Sequence, residues 1–382
     1  MQIYLDHSAT TPTRSEVIEA MGQALTQTWG NPSSLHHWGE AAATAVEIAR
    51  LQVAELIQAP AESIVFTSGG TEANNLALLG VLPRQPGHLI ISDVEHAAIS
   101  EPARRLQDQG WQVTRLPVTP QGRVQPDDLL GALRPDTALV SVIYGQSEVG
   151  TVQPIAELAA IARQHEVLFH TDAVQVAGRL PLNVEELGVD LLSLSSHKLY
   201  GPKGVGALYV RPGLSLQPLL AGGGQERGRR SGTEAVPNIV GFGVAAALAA
   251  EELAAEQQRL QGLRDRFFEH LAGVWSLQVT GDRQHRLPHH VSFLVDADDS
   301  QGKPITGKAL VRQLNLAGIA ISSGSACHSG KLAPSPVLLA MGYPERLARA
   351  GIRLTLGRET TEADIDWTAR VLKPLVTGQR PV

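Results

Sequence analysis

A chain of 382 residues, 43% of them hydrophobic, can bury a large core, and its length suggests one big domain plus a smaller one. A formal net charge of -6 offers no basic field for nucleic acid or for an acidic membrane surface, and a single cysteine excludes an internal disulfide and any cysteine-based metal set within one chain. No signal peptide or membrane span is read, because every apolar run is interrupted by polar residues, so a cytoplasmic protein is expected.

Ile3–Leu5 reads as a short extended segment, followed by a small-residue loop that stops at Pro12. Helices are expected over Glu16–Gln27 and Glu40–Gln58, and the loop Trp29–Ser34 between them has turn chemistry in which Asn31 is a natural turn former. Ser63–Thr67 is a β-branched strand that runs into Ser68-Gly69-Gly70-Thr71-Glu72, with helical character over Leu76–Leu82. Strand, glycine loop and helix start make an anion-binding geometry, since backbone N–H groups and hydroxyls can approach a phosphate there. The same pattern serves ordinary turns, and it is neither a Walker A sequence nor a dinucleotide fingerprint.

His88–Ser92 is a further strand and leads to Glu95-His96, a ring that can be structural or catalytic. Strands at Trp111–Val118, Ala138–Ile143 and Val167–Thr171 then alternate with helices at Ala98–Gln109, Asp127–Leu133 and Ile155–Gln164. Such repetition implies a mostly parallel sheet with helices on both faces and a site beyond the carboxyl ends of its strands. Asp172 follows one of those strands and needs a partner if buried: a helix start, a metal or a cationic ring nitrogen. Val189–Leu194 ends in Ser195-Ser196-His197-Lys198 before the next apolar run, Gly206–Val210. A lysine there can lose its proton and attack a carbonyl carbon, although alone it reads as a solvated surface group.

Ala221–Thr233 is rich in glycine and arginine and reads as an anion clamp or a flexible linker. A connecting helix over Ala245–Gln261 places the domain boundary near Ala250, with 16–250 as the large domain and 1–15 plus 251–382 as the small one. The smaller part alternates strands at Leu277–Thr280, Val291–Val295 and Arg353–Leu356 with helices at Lys308–Leu316 and Glu362–Leu375. In it, Cys327 lies in a loop of small residues, Ser322–Gly330, whose neighbours are wrong for a core thiol. Arg353 sits in an apolar strand and calls for a carboxylate. His285, His289 and His290 resemble a metal set but read more simply as surface histidines, and no metal is expected.

Lys198 after Ser-Ser-His, Asp172 with Gln175 one turn on, His96 and the loop at Gly70-Thr71 together resemble the pyridoxal-phosphate enzymes of aminotransferase class V. Leu5–Pro12, Gly30–Ser34, Gly222–Thr233 and Ser322–Cys327 are similar to the cysteine desulfurases within that class, and Ser-Ser-Gly-Ser-Ala-Cys to their long-loop group. The resemblance implies an α/β fold of pyridoxal-phosphate type I, with a mostly parallel sheet flanked by helices and a smaller α+β domain. It implies pyridoxal 5'-phosphate held covalently by Lys198, which also moves the substrate's α-proton. Asp172 would face the ring nitrogen, His96 the ring face, and Gln175 and Ser147 the ring's 3' oxygen, with Ser147 standing where relatives usually carry Asn. Gly70, Thr71, Ser195 and His197 would bind the phosphate, with Thr233 reaching it from the other subunit of a homodimer. Asn31 and Arg353 would hold the carboxylate of L-cysteine, and Cys327 would take its sulfur as a persulfide, leaving alanine. A sulfur-acceptor protein follows, although the chain stops at Val382 without the longer tail some relatives use to dock an iron–sulfur scaffold. An aminotransferase or carbon–sulfur lyase with the same cofactor, and a non-catalytic sulfur carrier, stay open as alternatives.

Overall fold

The computed structural model describes residues 2–83, 85–298, 302–324 and 333–377; Cys327 lies outside the described residues. Strand β1 (Ile3–Tyr4) lies outside the large sheet, and the next seven strands build it: β2 (Ile64–Thr67), β3 (His88–Ser92), β4 (Gln112–Leu116), β5 (Thr137–Ser141), β6 (Leu168–Asp172), β7 (Leu191–Ser195) and β8 (Gly206–Val210). Their order is β2-β8-β7-β6-β5-β3-β4. Neighbours from β7 to β4 pair in parallel, whereas β8 runs antiparallel to both β2 and β7. The reversal follows from the connection: residues 196–205 are too few for a helical crossover, so the chain can only turn back beside β7. Helices cover both faces, which explains why these strands read as continuous apolar runs.

Polar side chains inside the sheet are tied across strands. The buried His170 ring bonds Ser141 Oγ at 2.8 Å and Ser193 Oγ at 3.0 Å, linking β5, β6 and β7. Burial pushes its pKa down to about 3, so the ring is neutral and acts as a cross-strand bolt.

A second, antiparallel sheet orders β9 (Leu277–Val279), β10 (His290–Val295), β12 (Ser322–Ser323) and β13 (Gly351–Thr355) as β12-β13-β10-β9, while β11 (Ile319–Ala320) pairs in parallel with β1. Its core takes Ile3 and Leu5 from the chain start together with Leu260, Phe267, Leu314 and Leu372. A smaller apolar cluster, including Val94, Ile143, Val149, Leu294 and Leu338, packs residues of the two sheet regions together.

The connecting helix is longer than its composition suggests and runs over Val236–His270. Pro237 in the first turn supplies a pre-organised start, and Leu260, Leu263 and Phe267 extend it because their helical spacing buries them in the second core. Among the described residues it is the one helix long and apolar enough to cross a membrane. It packs along the helices Ser15–Gln27, His37–Leu56 and Glu362–Thr377. The helix expected from Leu76 starts earlier and spans Gly70–Val81, so the glycine loop is itself the helix start.

The arginines of Ala221–Thr233 do not form an open anion clamp. Arg227 and Arg229 both donate to the carbonyl of Glu62, and Arg230 makes a forked pair with Glu72 at 2.8 and 3.2 Å. Glu226 is buried and takes both Arg50 Nη atoms at 2.7 and 2.9 Å and the backbone N–H of Phe66 at 2.9 Å. The loop is thereby pinned to the helix His37–Leu56 and to β2, with Glu226 and Arg227 at φ of 50° and 58°. Glu226→Ala removes the buried carboxylate from Arg50, leaving it only the exposed Glu47 as a charge partner, and should lower stability by about 3 kcal/mol. Urea unfolding of the variant should show a lower midpoint at unchanged slope.

Candidate active site

The carboxyl ends of β6 and β7 and the start of the helix Gly70–Val81 surround a cavity of about 170 Å3. Gly70, Thr71, His96, Ser147, Asp172, Gln175, Ser195, His197 and Lys198 all line it. Of the residues singled out in the sequence, Asn31 and Thr233 stand outside this lining and are exposed. Asn31 Oδ1 accepts the N–H of Ser33 at 2.9 Å, which is its turn-forming role. Arg353 reaches the cavity wall through the carbonyl of Ser147.

The helix start is open by construction. Gly69 at φ 151° brings no capping side chain, and a Cβ on Gly70 would lie 2.9 Å from Val174 Cγ2 and 3.4 Å from Ser195 Cβ. Glycine therefore leaves room where free N–H groups and the helix dipole favour an anion, beside the Thr71, Ser195 and His197 side chains. Burial, followed by the charges of Lys198 and Lys203, lowers the His197 pKa to about 4, and its Nδ1 lies 3.1 Å from Thr10 Oγ1.

Deeper in the cavity Asp172 is 4% exposed. One of its oxygens accepts Asn74 Nδ2 at 2.6 Å and the other the N–H of Val174 at 3.0 Å, which fixes the carboxylate plane. Asn74 is a residue the sequence reading missed. Its signal was available, since it lies four positions after Gly70 and so shares that helix face. Its Oδ1 is buried without a hydrogen-bond partner.

Lys198 follows β7 in a single 3-10 turn, and its Nζ donates to the carbonyls of Ser8 at 2.6 Å and Ala9 at 2.8 Å. The Ser8 carbonyl also accepts Gln175 Nε2 at 3.0 Å. His96 caps the helix Ala97–Asp108, its Nδ1 accepting the N–H of Ala98 at 3.1 Å, so a neutral ring carries its proton on Nε2. Arg353 meets the carboxylate its strand context required: Nη2 donates to Asp6 at 2.8 Å while Nη1 donates to Ser147 O at 3.0 Å. Its Nε is buried without a partner.

The histidines read as surface groups are corrected in part. His289 and His290 are buried at 2% and 0% exposure, because they enter β10 between the two sheets, and burial holds both rings neutral, well below the ordinary range. His290 Nε2 lies 3.0 Å from Ser147 O and His289 Nε2 3.3 Å from Ser8 Oγ, so both brace cavity segments. His285 is exposed and pairs with Asp282. No group of three metal-ligating side chains occurs among the described residues.

The donor set suits pyridoxal phosphate: an uncapped helix start for a phosphate, a fixed buried carboxylate for a pyridinium N–H, and an amine for an aldehyde. Fold and cavity define an α/β enzyme whose site lies beyond the carboxyl ends of a mostly parallel sheet. Residues 3–367 match the aminotransferase class-V family, and the chain belongs to it. Cysteine desulfurase IscS of Dictyoglomus turgidum is 46% identical over 100% of this chain and 96% of its own length. That of Methanosarcina thermophila is 44% identical over 99% and 93%. Among solved structures a NifS-like protein aligns at a TM-score of 0.90 with 34% identity over 99% of this chain and 100% of its own. SspA in complex with cysteine aligns at 0.81 with 35% identity over 93% and 99%.

Beside His96, the Glu95 carboxyl accepts Ser92 Oγ at 2.5 Å and the N–H of Ile143 at 2.7 Å on one oxygen, and its other oxygen is buried without a partner. Burial raises its pKa to about 8. The unfolded chain releases this proton near 4.5 and the folded one only near 8, so stability falls as pH rises across that window. The full effect is on the order of 5 kcal/mol. Glu95→Gln should flatten this dependence: urea unfolding of wild type and variant at pH 5 and pH 9 should show the variant gaining relative stability at pH 9.

Proposed function

We propose that the protein is a cysteine desulfurase that binds pyridoxal 5'-phosphate in this cavity and converts L-cysteine to L-alanine, with the sulfur passing to Cys327 as a persulfide. The convergence of Lys198, Asp172 and the open helix start at Gly70 on one cavity carries the proposal. The similarity to cysteine desulfurases along the whole chain supports it. When bound, the cofactor supplies an electron-withdrawing ring that takes up the electron pair released at the amino acid's α-carbon. Gly70, Thr71, Ser195 and His197 would hold the phosphate, and Asp172, its carboxylate fixed by Asn74 and Val174, would pair with the ring nitrogen. Gln175 and Ser147 would serve the 3' oxygen and His96 the ring, all three lining the same cavity. Lys198 would anchor the cofactor and take the substrate's α-proton, and the Ser8 and Ala9 carbonyls orient its amine.

Arg353, held beside the cavity wall by Asp6 and the Ser147 carbonyl, would receive the substrate carboxylate, with Asn31 from the turn at Trp29–Ser34 as its second donor. Overall, the thiols of L-cysteine and Cys327 become alanine and a persulfide, with no external oxidant or reductant. A sulfur-acceptor protein then removes the outer sulfur.

Cys327→Ala should abolish alanine formation from L-cysteine while keeping the bound cofactor's visible absorption. Unchanged turnover would identify a carbon–sulfur lyase instead. Lys198→Ala should lose both turnover and the cofactor retained through gel filtration.

The working unit is a homodimer in which Thr233 completes the partner's phosphate site. Supporting it, the first two helices and their connection expose Ile18, Leu25, Trp29, Leu35, Trp38, Ile48 and Leu51, and Thr233 is exposed on its own subunit. Sedimentation at micromolar concentration should give twice the chain mass. A fully active monomer would contradict the dimer.

A further inference from the structure

Three consecutive residues, Gln146-Ser147-Glu148, run along the cavity wall and face three ways. The buried Gln146 fastens the segment, its Nε2 donating to Val94 O at 3.2 Å and its Oε1 accepting the N–H groups of Glu148 and Val149. Ser147 lines the cavity, and its carbonyl is held by His290 and Arg353. Glu148 turns toward the second sheet, where its Oε2 accepts Ser335 Oγ at 2.6 Å. Ser335 is fully buried, donates its own N–H to Ala348 O at 3.0 Å, and caps the helix Pro336–Ala340.

The same oxygen abuts Gly324. A Cβ at that position would lie 2.7 Å from Glu148 Oε2, so the glycine is what lets the backbone approach the carboxyl. Gly324 follows β12, which is paired to β13, and its N–H bonds Gly351 O at 3.3 Å. Gly324 is the last described residue before the stretch that carries Cys327, and Ser335 lies two positions beyond Ala333, the first described residue after it. One carboxyl thus contacts both, from a segment whose middle residue belongs to the cavity.

We propose that Glu148 is a positioning residue that fastens both roots of the cysteine-bearing stretch to the wall of the cavity and so sets where the Cys327 thiol can reach. The inference rests on the function proposed above only for what the thiol does. Burial raises the Glu148 pKa to about 7, with Ser335 and the nearby Arg353 opposing the rise, so the carboxyl can hold Ser335 in either protonation state near neutral pH.

Because Cys327 is the only cysteine in the chain, its alkylation by iodoacetamide reports on that thiol alone. The holoenzyme and its variants should be alkylated at pH 7.5 without substrate, and alanine formation from L-cysteine measured in parallel. Glu148→Ala and Ser335→Ala should raise the alkylation rate at least threefold and lower kcat about tenfold, with KM within twofold and cofactor absorption unchanged. Gly324→Ala, which pushes the carboxyl away, should behave as Glu148→Ala does. Glu148→Gln keeps an acceptor oxygen for Ser335 and should stay within twofold of wild type in both measurements. Wild-type alkylation rates and kcat in Glu148→Ala and Ser335→Ala would overturn the proposal. Should Glu148→Ala fail to fold, an unchanged alkylation rate in Ser335→Ala would overturn it alone. The alkylation rate needs no turnover, so a wild-type protein that forms no alanine overturns the proposed activity and leaves the fastening of the thiol to be judged by alkylation.

Discussion

The carbonyl of Ser8 is the contact on which the site depends. It accepts Lys198 Nζ and Gln175 Nε2 while the N–H of the same residue donates to Thr355 Oγ1 in β13. Around it, Asp6 bridges to Thr355 and pairs with Arg353, and Thr11 bonds both the carbonyl of His197 and the N–H of Tyr200. A chain start that contributes only two residues of strand therefore acts as a seam between the two sheets. Neutral carbonyls suit this role. They orient the lysine amine through two directed hydrogen bonds.

Electrostatics around the cavity follow from burial. His7, His170, His289 and His290 are kept neutral inside the protein, so they order the backbone and neighbouring hydroxyls without adding positive charge near the site. Glu95 and Glu148 are raised by the same desolvation, to about 8 and about 7, and flank the cavity on the segments that carry His96 and Ser147. Asp172 lines the cavity, and Arg353 reaches its wall through the carbonyl of Ser147. Asp172 is held by neutral amide donors, and Arg353 keeps one N–H unused. Fixed dipoles at a helix start and oriented amides are ready before a ligand arrives, so little reorganisation remains to be done.

Loops that read as flexible are held by ion pairs. Glycine gives Gly222–Thr233 its turns, yet Glu226 on Arg50 and Arg230 on Glu72 attach it to two neighbouring helices. The arginines expected to grip an external anion are therefore largely taken by carboxylates and carbonyls of their own subunit. The loop still exposes its glycine-rich start, Arg227-Gly228 and its Gly232-Thr233 end.

Residue order alone determined the repeating strand–helix alternation, the mostly parallel sheet and the strand-end positions of Asp172 and Lys198, because period and punctuation are local properties of the chain. It also marked Gly70-Thr71 as a strand-to-helix junction open either to an anion or to an ordinary turn, since glycine at a helix start changes sterics within a few residues. The tertiary structure decided what those groups meet. Arg353 finds Asp6 across 347 positions, Lys198 finds Ser8 across 190, and Asp172 finds Asn74 across 98. It decided also that His289 and His290 are buried braces and that Glu148 reaches Ser335. Such partners carry no periodic signal, because they are chosen by packing two sheets together, and that packing is driven by apolar area, which is indifferent to which polar groups it brings into contact.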